Sequence, residues 1–299
     1  MLKNFAALLD EVKAKKTPRI AVALAEAEDI LIALEKAREM GLAEAALIGN
    51  KSRIIEVMKK RGFDPRHYEV IGADGEAEAV RKAVGLVREG HAQVLMKGLC
   101  GTAAFLKAVL NKDNGLRSGK VISHLAVFES PAYHKIFMMS DAAINVAPDL
   151  DVKIAITENA IQAAHRLGCE DPKVAIISAV EKVNPEGIPS SVDAAIIAKM
   201  GERKQIKGAI IDGPLAVDNA FSAWSCQVKG LETRVGGDAD ICIVPNIETG
   251  NAFYKALTVL GNAKVAGIIV GAAAPIVLTS RADSDESKFL SILTALKAS

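Results

Sequence analysis

The chain has 299 residues, of which 50% are apolar, 24% charged and 4% aromatic, a balance that supplies a full core and excludes a small disulfide-stapled module. Thirty-seven Lys and Arg stand against 36 Asp and Glu for a net charge of +1, so no global field draws the protein to nucleic acid or to a membrane surface, and an anionic ligand has to be held locally. Cys100, Cys169, Cys226 and Cys242 form no CxxC pair, the usage of a reducing cytoplasm rather than of a zinc knuckle or disulfide framework.

The first segment, with Phe5, Leu8, Leu9 and Val12 on one stripe, reads as an amphipathic helix; Asp10 and Glu11 interrupt it where a signal peptide needs an unbroken apolar run. From there aliphatic runs alternate with helical periods, the pattern of an α/β fold with helices covering a parallel sheet. Strands are predicted at Arg19 to Leu24, Ala46 to Ile48, Glu69 to Ile71 and Val94 to Met96, with helices at Glu28 to Met40, from Asn50 to Arg61, and at Ala77 to Glu89. The runs SHLAVFE and HKIFMMS within Ser123 to Met139 lack a helix between them, so an antiparallel pair or a crossover between domains fits. The alternation then resumes with helices at Val152 to Leu167, Val192 to Met200 and Ala252 to Leu260, and strands at Val174 to Ser178, Gly208 to Ile211 and Ile241 to Val244. Val265 to Val270 and Ile276 to Leu278 read as two buried strands parted by a turn, too short an apolar stretch to span a bilayer, before a last helix from Ser284 to Leu296.

Nucleotide fingerprints are missing. GLRSGKV at Gly115 to Val121 is one residue short of a Walker loop and carries Val121 where a hydroxyl would bind magnesium, and no GxGxxG occurs. The five histidines form no HExxH and no i,i+4 pair, so no metal site is expected. Cys100 in GLCGT and His124 could be assembled as a nucleophile pair, with a small buried thiol as the other reading.

Open α/β sheets bind ligands outside the carboxyl ends of their strands, and four turns there carry small polar residues. The first offers Lys97, Gly98, Gly101 and Thr102; the second Asp212, Gly213, Asp218 and Asn219; the third Asn246, Thr249, Gly250 and Asn251. The fourth, Thr279, Ser280, Arg281, Asp283 and Ser284, leads into the final helix, whose N–H groups and positive dipole end favour an anion. Arg281 adds a planar fork shaped for phosphate. Asp283, Asp285 and Glu286 are either caps or a source of a base.

The runs LMKGLCGTAAFLKAVLNKDNGLRSGKVISHLAVFE, SDAAINVAPDL, IKGAIIDGPLAVDNAFS, GDADICIVPNIETGNAFYKAL and APIVLTSRADS, in this order, resemble the phosphate acetyl/butyryl transferase family, most closely its shorter phosphate butyryltransferases. The resemblance implies a two-lobed fold like that of isocitrate and isopropylmalate dehydrogenases, with the active cleft between lobes. The expected division is 1–130 plus 275–299 as one lobe and 131–274 as the other. It implies transfer of a short acyl group, butyryl preferred, between coenzyme A and inorganic phosphate, in the cytoplasm, by a homo-oligomer without metal or redox cofactor. Ser280 and Arg281 take the family's substrate-site roles. The family's catalytic Asp falls on Ser287 here, and Asp283 is taken as the base in its place. Lys97, Gly98, Thr102, His124, Asp212, Asn246, Gly250, Asn251, Thr279, Ser284 and Ser287 are expected to line the substrate site. A phosphate acetyltransferase is the near alternative; a NAD-dependent hydroxy-acid dehydrogenase and a catalytically silent binding relative are the alternatives of other classes.

Overall fold

The structure, a computed structural model, describes residues 3–13, 17–119, 121–279 and 283–299. In chain order the first part runs α1 (Phe5–Lys13), β1 (Arg19–Ala23), α2 (Glu28–Glu39), β2 (Glu44–Gly49), α3 (Lys51–Lys60), β3 (Glu69–Gly72), α4 (Glu76–Arg88), β4 (Val94–Lys97) and α5 (Thr102–Val109). The middle holds β5 (Ser123–Glu129), β6 (Phe137–Ser140), α6 (Leu150–Arg166), β7 (Lys173–Ile177), α7 (Pro189–Glu202), β8 (Ile210–Leu215), α8 (Val217–Phe221), α9 (Ala223–Val228), β9 (Ile241–Ile243) and α10 (Ile247–Lys255). It closes with β10 (Lys264–Val270), β11 (Ile276–Val277) and α11 (Asp285–Ala298). The class is α/β, as the alternation predicts.

Two compact units emerge: a terminal unit of Ala6–Lys120 with Ala266–Ser299, and a central unit of Met1–Phe5 with Val121–Val265. The expected division after 130 and after 274 has to move, because it would part β5 from its antiparallel partner β6 and β10 from its antiparallel partner β11.

In the terminal unit β3, β2, β1, β4 and β11 lie side by side in that order, all parallel, with β10 antiparallel beside β11. Ala21, Val22, Ala46, Leu47, Val94 and Leu95 are completely buried, the continuous apolar run of strands covered on both faces. Helix α11 packs on α2, burying Ile292, Leu293 and Leu296. Lys288, 3% exposed, reaches Asp29 of α2 at 3.2 Å and the Asp283 carbonyl. The first turn of α11 is thereby fastened to the unit, with Ser284 capping it by accepting the Ser287 N–H at 3.1 Å.

In the central unit the order is β5, β6, β9, β7, β8, with β5 antiparallel to β6 and the other four parallel. Phe128 and Phe137 stack at 5.2 Å over a core that includes Met139, Ile177, Leu215 and Cys242. At the opposite end from the strand termini discussed below, Lys135 is buried against Asp240 at 2.7 Å and donates to the Asp238 carbonyl at 2.8 Å.

Three departures from the sequence reading have local causes. Strand β8 runs on through Gly213 and Pro214, which read as a turn; it is the edge strand, where a missing N–H costs no ladder bond. Helix α10 starts at Ile247 rather than Ala252 because Asn246 caps it, accepting the Thr249 N–H at 2.9 Å, and Ala256–Leu260 forms a π turn. Helices α8 and α9 are too short to show a period. The GLRSGKV segment follows α5 and leads to β5, with Ser118 bonded to the Gly271 carbonyl at 3.1 Å, so it occupies no strand-to-helix phosphate loop.

Candidate functional site

Parallel strands send their carboxyl ends the same way, and in the central unit the ends of β7, β8 and β9 open into a cleft of about 690 Å³. Ile177, Ser178 and Ala179 leave β7 along its wall, Ala216 and Val217 follow β8, and Pro245 and Asn246 follow β9. Ala147 and Pro148 come from the loop after β6, and Pro189 and Ser190 from the start of α7. The loop from β6 is shaped by Asp141, 2% exposed, whose carboxylate accepts the N–H groups of Ala143, Ile144 and Asn145 at 2.8, 3.0 and 3.2 Å and the Asn145 amide at 2.6 Å.

Among the described residues that line the cleft the one cation is Lys153, on the inner face of α6. Its side chain is 10% exposed and reaches Asp193 of α7 at 2.7 Å. Ser178 and Ser190 share a hydrogen bond of 2.9 Å beside it. The Asn246 side-chain oxygen Oδ1 accepts the Thr249 N–H in the α10 cap, and Thr249 stands one turn on. This is a crevice with small apolar walls, a few hydroxyls and one buried ammonium, suited to an elongated ligand bearing an anionic group.

The other residues singled out in the central unit are used differently. Gly250 is buried where a Cβ would lie 2.7 Å from the Asp141 carbonyl and 2.9 Å from Val244, so its glycine is a packing requirement. Asn251 donates to the Ala142 carbonyl at 3.4 Å. Asp212 accepts the Gly213 N–H at 2.8 Å and the Thr233 hydroxyl. His124 is 6% exposed within β5, its ring 6.2 Å from that of Tyr254. Of the central-unit residues expected at the substrate site, Asn246 lines the cleft, and Asp212, Gly250, Asn251 and His124 do not.

In the terminal unit Lys97 ends β4 half-buried, its ammonium 3.2 Å from the Gly98 carbonyl. Gly98 is pressed on the end of β1: its N–H donates to the Ala23 carbonyl at 2.8 Å, and a Cβ would run into the Leu24 carbonyl. Thr102 opens α5 exposed to solvent. Cys100 is 2% exposed, and burial pushes its thiol up against the lowering pull of Lys97, the opposite of an activated nucleophile. Thr279 and Asp283 are half-buried and Ser284 is exposed; Ser287 takes a 3.1 Å hydrogen bond from the Ser284 hydroxyl. Ser280 and Arg281 lie outside the described residues. A smaller hollow of about 380 Å³ sits at the ends of β2 and β3, between Asn50, Ser52, Asp74 and Lys82. Among the described residues no three His, Cys, Asp or Glu are grouped to hold a metal ion, and no helix is long and apolar enough to cross a membrane.

Lys153, Asp193, Ser178 and Ser190 escape the sequence reading, which looks for polar residues in turns. The signal for Lys153 is present: it precedes Ile156, Thr157, Ala160 and Ala164 at helical spacing on the buried stripe of α6, where a lysine is out of place unless it serves a partner.

Fold and cleft together define an α/β protein with an open crevice at the strand ends of its central unit, and comparison with known proteins gives the class its chemistry. The family described as phosphate acetyl/butaryl transferase matches residues 74–296. A phosphate butyryltransferase of Clostridium acetobutylicum is 46% identical over 295 residues, covering 99% of this chain and 98% of its own. A phosphate acetyltransferase of Thermotoga maritima is 39% identical over 95% of this chain and 96% of its own. Among solved structures, a branched-chain phosphotransacylase from Enterococcus faecalis superposes with a TM-score of 0.84 at 35% identity, covering 94% of this chain and 99% of its own. The chain belongs to the phosphate acetyl/butaryl transferase family. It is a phosphate acyltransferase.

Proposed function

We propose that this chain moves a short acyl group, butyryl preferred, between coenzyme A and inorganic phosphate. A phosphate oxygen attacks the thioester carbonyl, the C–O bond forms, the C–S bond breaks, and the thiolate departs to be protonated as free coenzyme A. The observation that carries the butyryl reading is the 46% identity, over nearly the whole of both chains, to a phosphate butyryltransferase. In this reading Arg281 holds the phosphate, Ser280 donates to the developing oxyanion, and Asp283 takes the proton, with Thr279, Ser284 and Ser287 around them. Lys97, Gly98 and Thr102 belong to the same site, and the active cleft lies between two lobes as in isocitrate and isopropylmalate dehydrogenases. Orientation of two bound reactants contributes up to about 7–11 kcal/mol to such a step, and a preorganised oxyanion donor about 10²–10³ in rate, so neither a metal nor a covalent intermediate is invoked. Large exposed apolar side chains, Trp224 at 72% and Leu260 at 82%, support the accompanying reading of a homo-oligomer, and the free cysteines support that of a reducing cytoplasm.

Thiol release measured with and without phosphate across acetyl-, propionyl-, butyryl- and hexanoyl-CoA tests the proposal. Release should require phosphate and peak near butyryl. Release that ignores phosphate, or none with any acyl-CoA, overturns the reaction, and a peak at acetyl-CoA overturns the preference.

A further inference from the structure

A lysine drawn out of water is ordinarily held by a carboxylate close at hand. Of the described lysines that are buried or half-buried, Lys82, Lys135, Lys153, Lys173, Lys288 and Lys297 are each paired with an Asp or Glu. Lys97 is the exception: its ammonium meets the Gly98 carbonyl at 3.2 Å and, among the described residues, forms no ion pair. Glu76, which reaches the same loop, accepts the Gly101 N–H at 2.8 Å instead. The charge is also fixed in place, because the residues after Lys97 are tied to the end of β1, Gly98 to the Ala23 carbonyl at 2.8 Å and Leu99 to that of Leu24 at 2.9 Å. On its other side β11 runs parallel to β4 with Val277 opposite Met96. The two strands therefore leave the sheet at the same end, and the register carries Leu278 alongside Lys97 just before the chain runs on through Thr279 to Ser280 and Arg281.

We propose that Lys97 is a second cation for inorganic phosphate, acting with the Arg281 of the segment that follows the neighbouring strand. The inference rests on the acyl-transfer reading above and deepens it by giving the nucleophile two cations rather than one. A phosphate group carries about −1.5 to −2 charges near pH 7, and the single positive charge of Arg281 leaves part of that uncompensated. The Lys97 ammonium supplies the rest: with one N–H on the Gly98 carbonyl, it keeps two for phosphate oxygens. The carbonyl oxyanion, with one developing charge and the Ser280 hydroxyl assigned to it, makes no such demand.

Thermal-shift titrations with inorganic phosphate, sulfate and methanesulfonate at fixed ionic strength, on the wild-type chain, Lys97→Met, Lys97→Gln and Lys97→Arg, count the cations. Sulfate stands in for the phosphate dianion, and methanesulfonate is a monoanion of similar shape. Loss of one charge-assisted hydrogen bond should weaken phosphate and sulfate about 10- to 100-fold in Lys97→Met and Lys97→Gln, with methanesulfonate moving less than about threefold and Lys97→Arg recovering most of the difference. The same two variants should raise the KM for phosphate at least about tenfold and leave that for butyryl-CoA within about twofold. Because no carboxylate is orphaned, their ligand-free melting temperatures should equal or exceed that of the wild type. A fall of more than about 5 °C in both assigns Lys97 to structure and overturns the proposal. Unchanged phosphate affinity or equal weakening of all three anions overturns it too, as does a raised KM for butyryl-CoA with that for phosphate intact, which would give Lys97 to the thioester substrate. Anion binding is read without turnover, so failure of the acyl-transfer assay and failure of this inference are distinct results.

Discussion

Replacing Gly98 by alanine tests whether this residue contacts substrate or holds two strands together. Its backbone lies so close to the end of β1 that a methyl would run into the Leu24 carbonyl oxygen and sit 2.5 Å from that of Ala23. The contact is with backbone, so no side chain can swing away. Relief requires β4 to withdraw from β1, which strains the Gly98 N–H bond to Ala23 at 2.8 Å and the Leu99 N–H bond to Leu24 at 2.9 Å. Overpacking costs about 1–3 kcal/mol and each weakened hydrogen bond about 0.5–1.5 kcal/mol, giving a loss of about 2–6 kcal/mol. For a cooperative unit of about 150 residues each kcal/mol moves the midpoint by about 2–4 °C, so a fall of about 5–20 °C is expected. Differential scanning fluorimetry beside steady-state kinetics decides the matter. A melting temperature within 2 °C of wild type together with a raised KM for acyl-CoA would refute the packing argument and return Gly98 to substrate contact.

Five further outcomes are expected. Lys135→Met should cost about 3–5 kcal/mol by leaving the buried Asp240 carboxylate without its cation, with only the Lys173 N–H still donating to it at 2.8 Å, whereas Lys135→Met/Asp240→Asn, which keeps an acceptor for that N–H, should recover much of it, as read in urea titrations. Burial alone would raise the Asp238 carboxyl, but Lys135 and Lys173 outweigh it and hold the group well below the usual carboxylate range. With its folded value depressed, the stabilisation is present above the unfolded value near 4 and is lost as pH falls through the folded one, so Asp238→Asn should flatten the acid limb of the melting curve below about pH 4. Cys100→Ala should reduce turnover less than tenfold, since a buried neutral thiol is no nucleophile; a collapse by orders of magnitude would revive a covalent mechanism. Arg281→Lys, which keeps charge but loses the fork, should lower turnover by about 10²–10³, and Asp283→Asn should lower it with melting preserved, while an Asn that merely caps would leave turnover intact.

Much of the fold was legible because burial on both faces leaves a plain mark. RIAVA, EAALIG and VLMK are aliphatic runs bounded by polar residues, and each is a parallel strand of the terminal unit. The boundaries between units were only half legible: SHLAVFE and HKIFMMS, with no helix between them, allow an antiparallel pair or a crossover between domains, and the pairing of β5 with β6 that decides for the first is a tertiary fact. Strand β8 was cut short for a related reason. Gly213 and Pro214 carry a turn signal that holds for a central strand and lapses at an edge.

At the cleft, the sequence reading and the structure diverge according to the kind of signal each residue carries. Asn246 was found because a small polar residue just past an aliphatic run is a local mark of a strand end, although the same residue's capping of α10 was not read and that helix was expected only from Ala252. Gly98 and Gly250 were marked for the right property, absence of a side chain, but close backbone approach to a ligand and close approach to a neighbouring strand demand the same residue. Only the atoms facing each glycine separate the two, and they are the Leu24 and Asp141 carbonyls. Lys153 fails in the opposite sense. Its chemistry is plain and its place is hidden, since a lysine within a helix is ordinarily solvated, and the register that turns it inward shows only when Ile156, Ala160 and Ala164 are seen to be buried with it. A charged side chain kept on an apolar stripe is costly to bury without a partner, and Asp193 comes from a different helix, α7. The residues that sequence reasoning misses at such a site are thus those whose function depends on a partner distant in the chain, and a search for charges at buried helical positions would have reached Lys153 before any coordinate did.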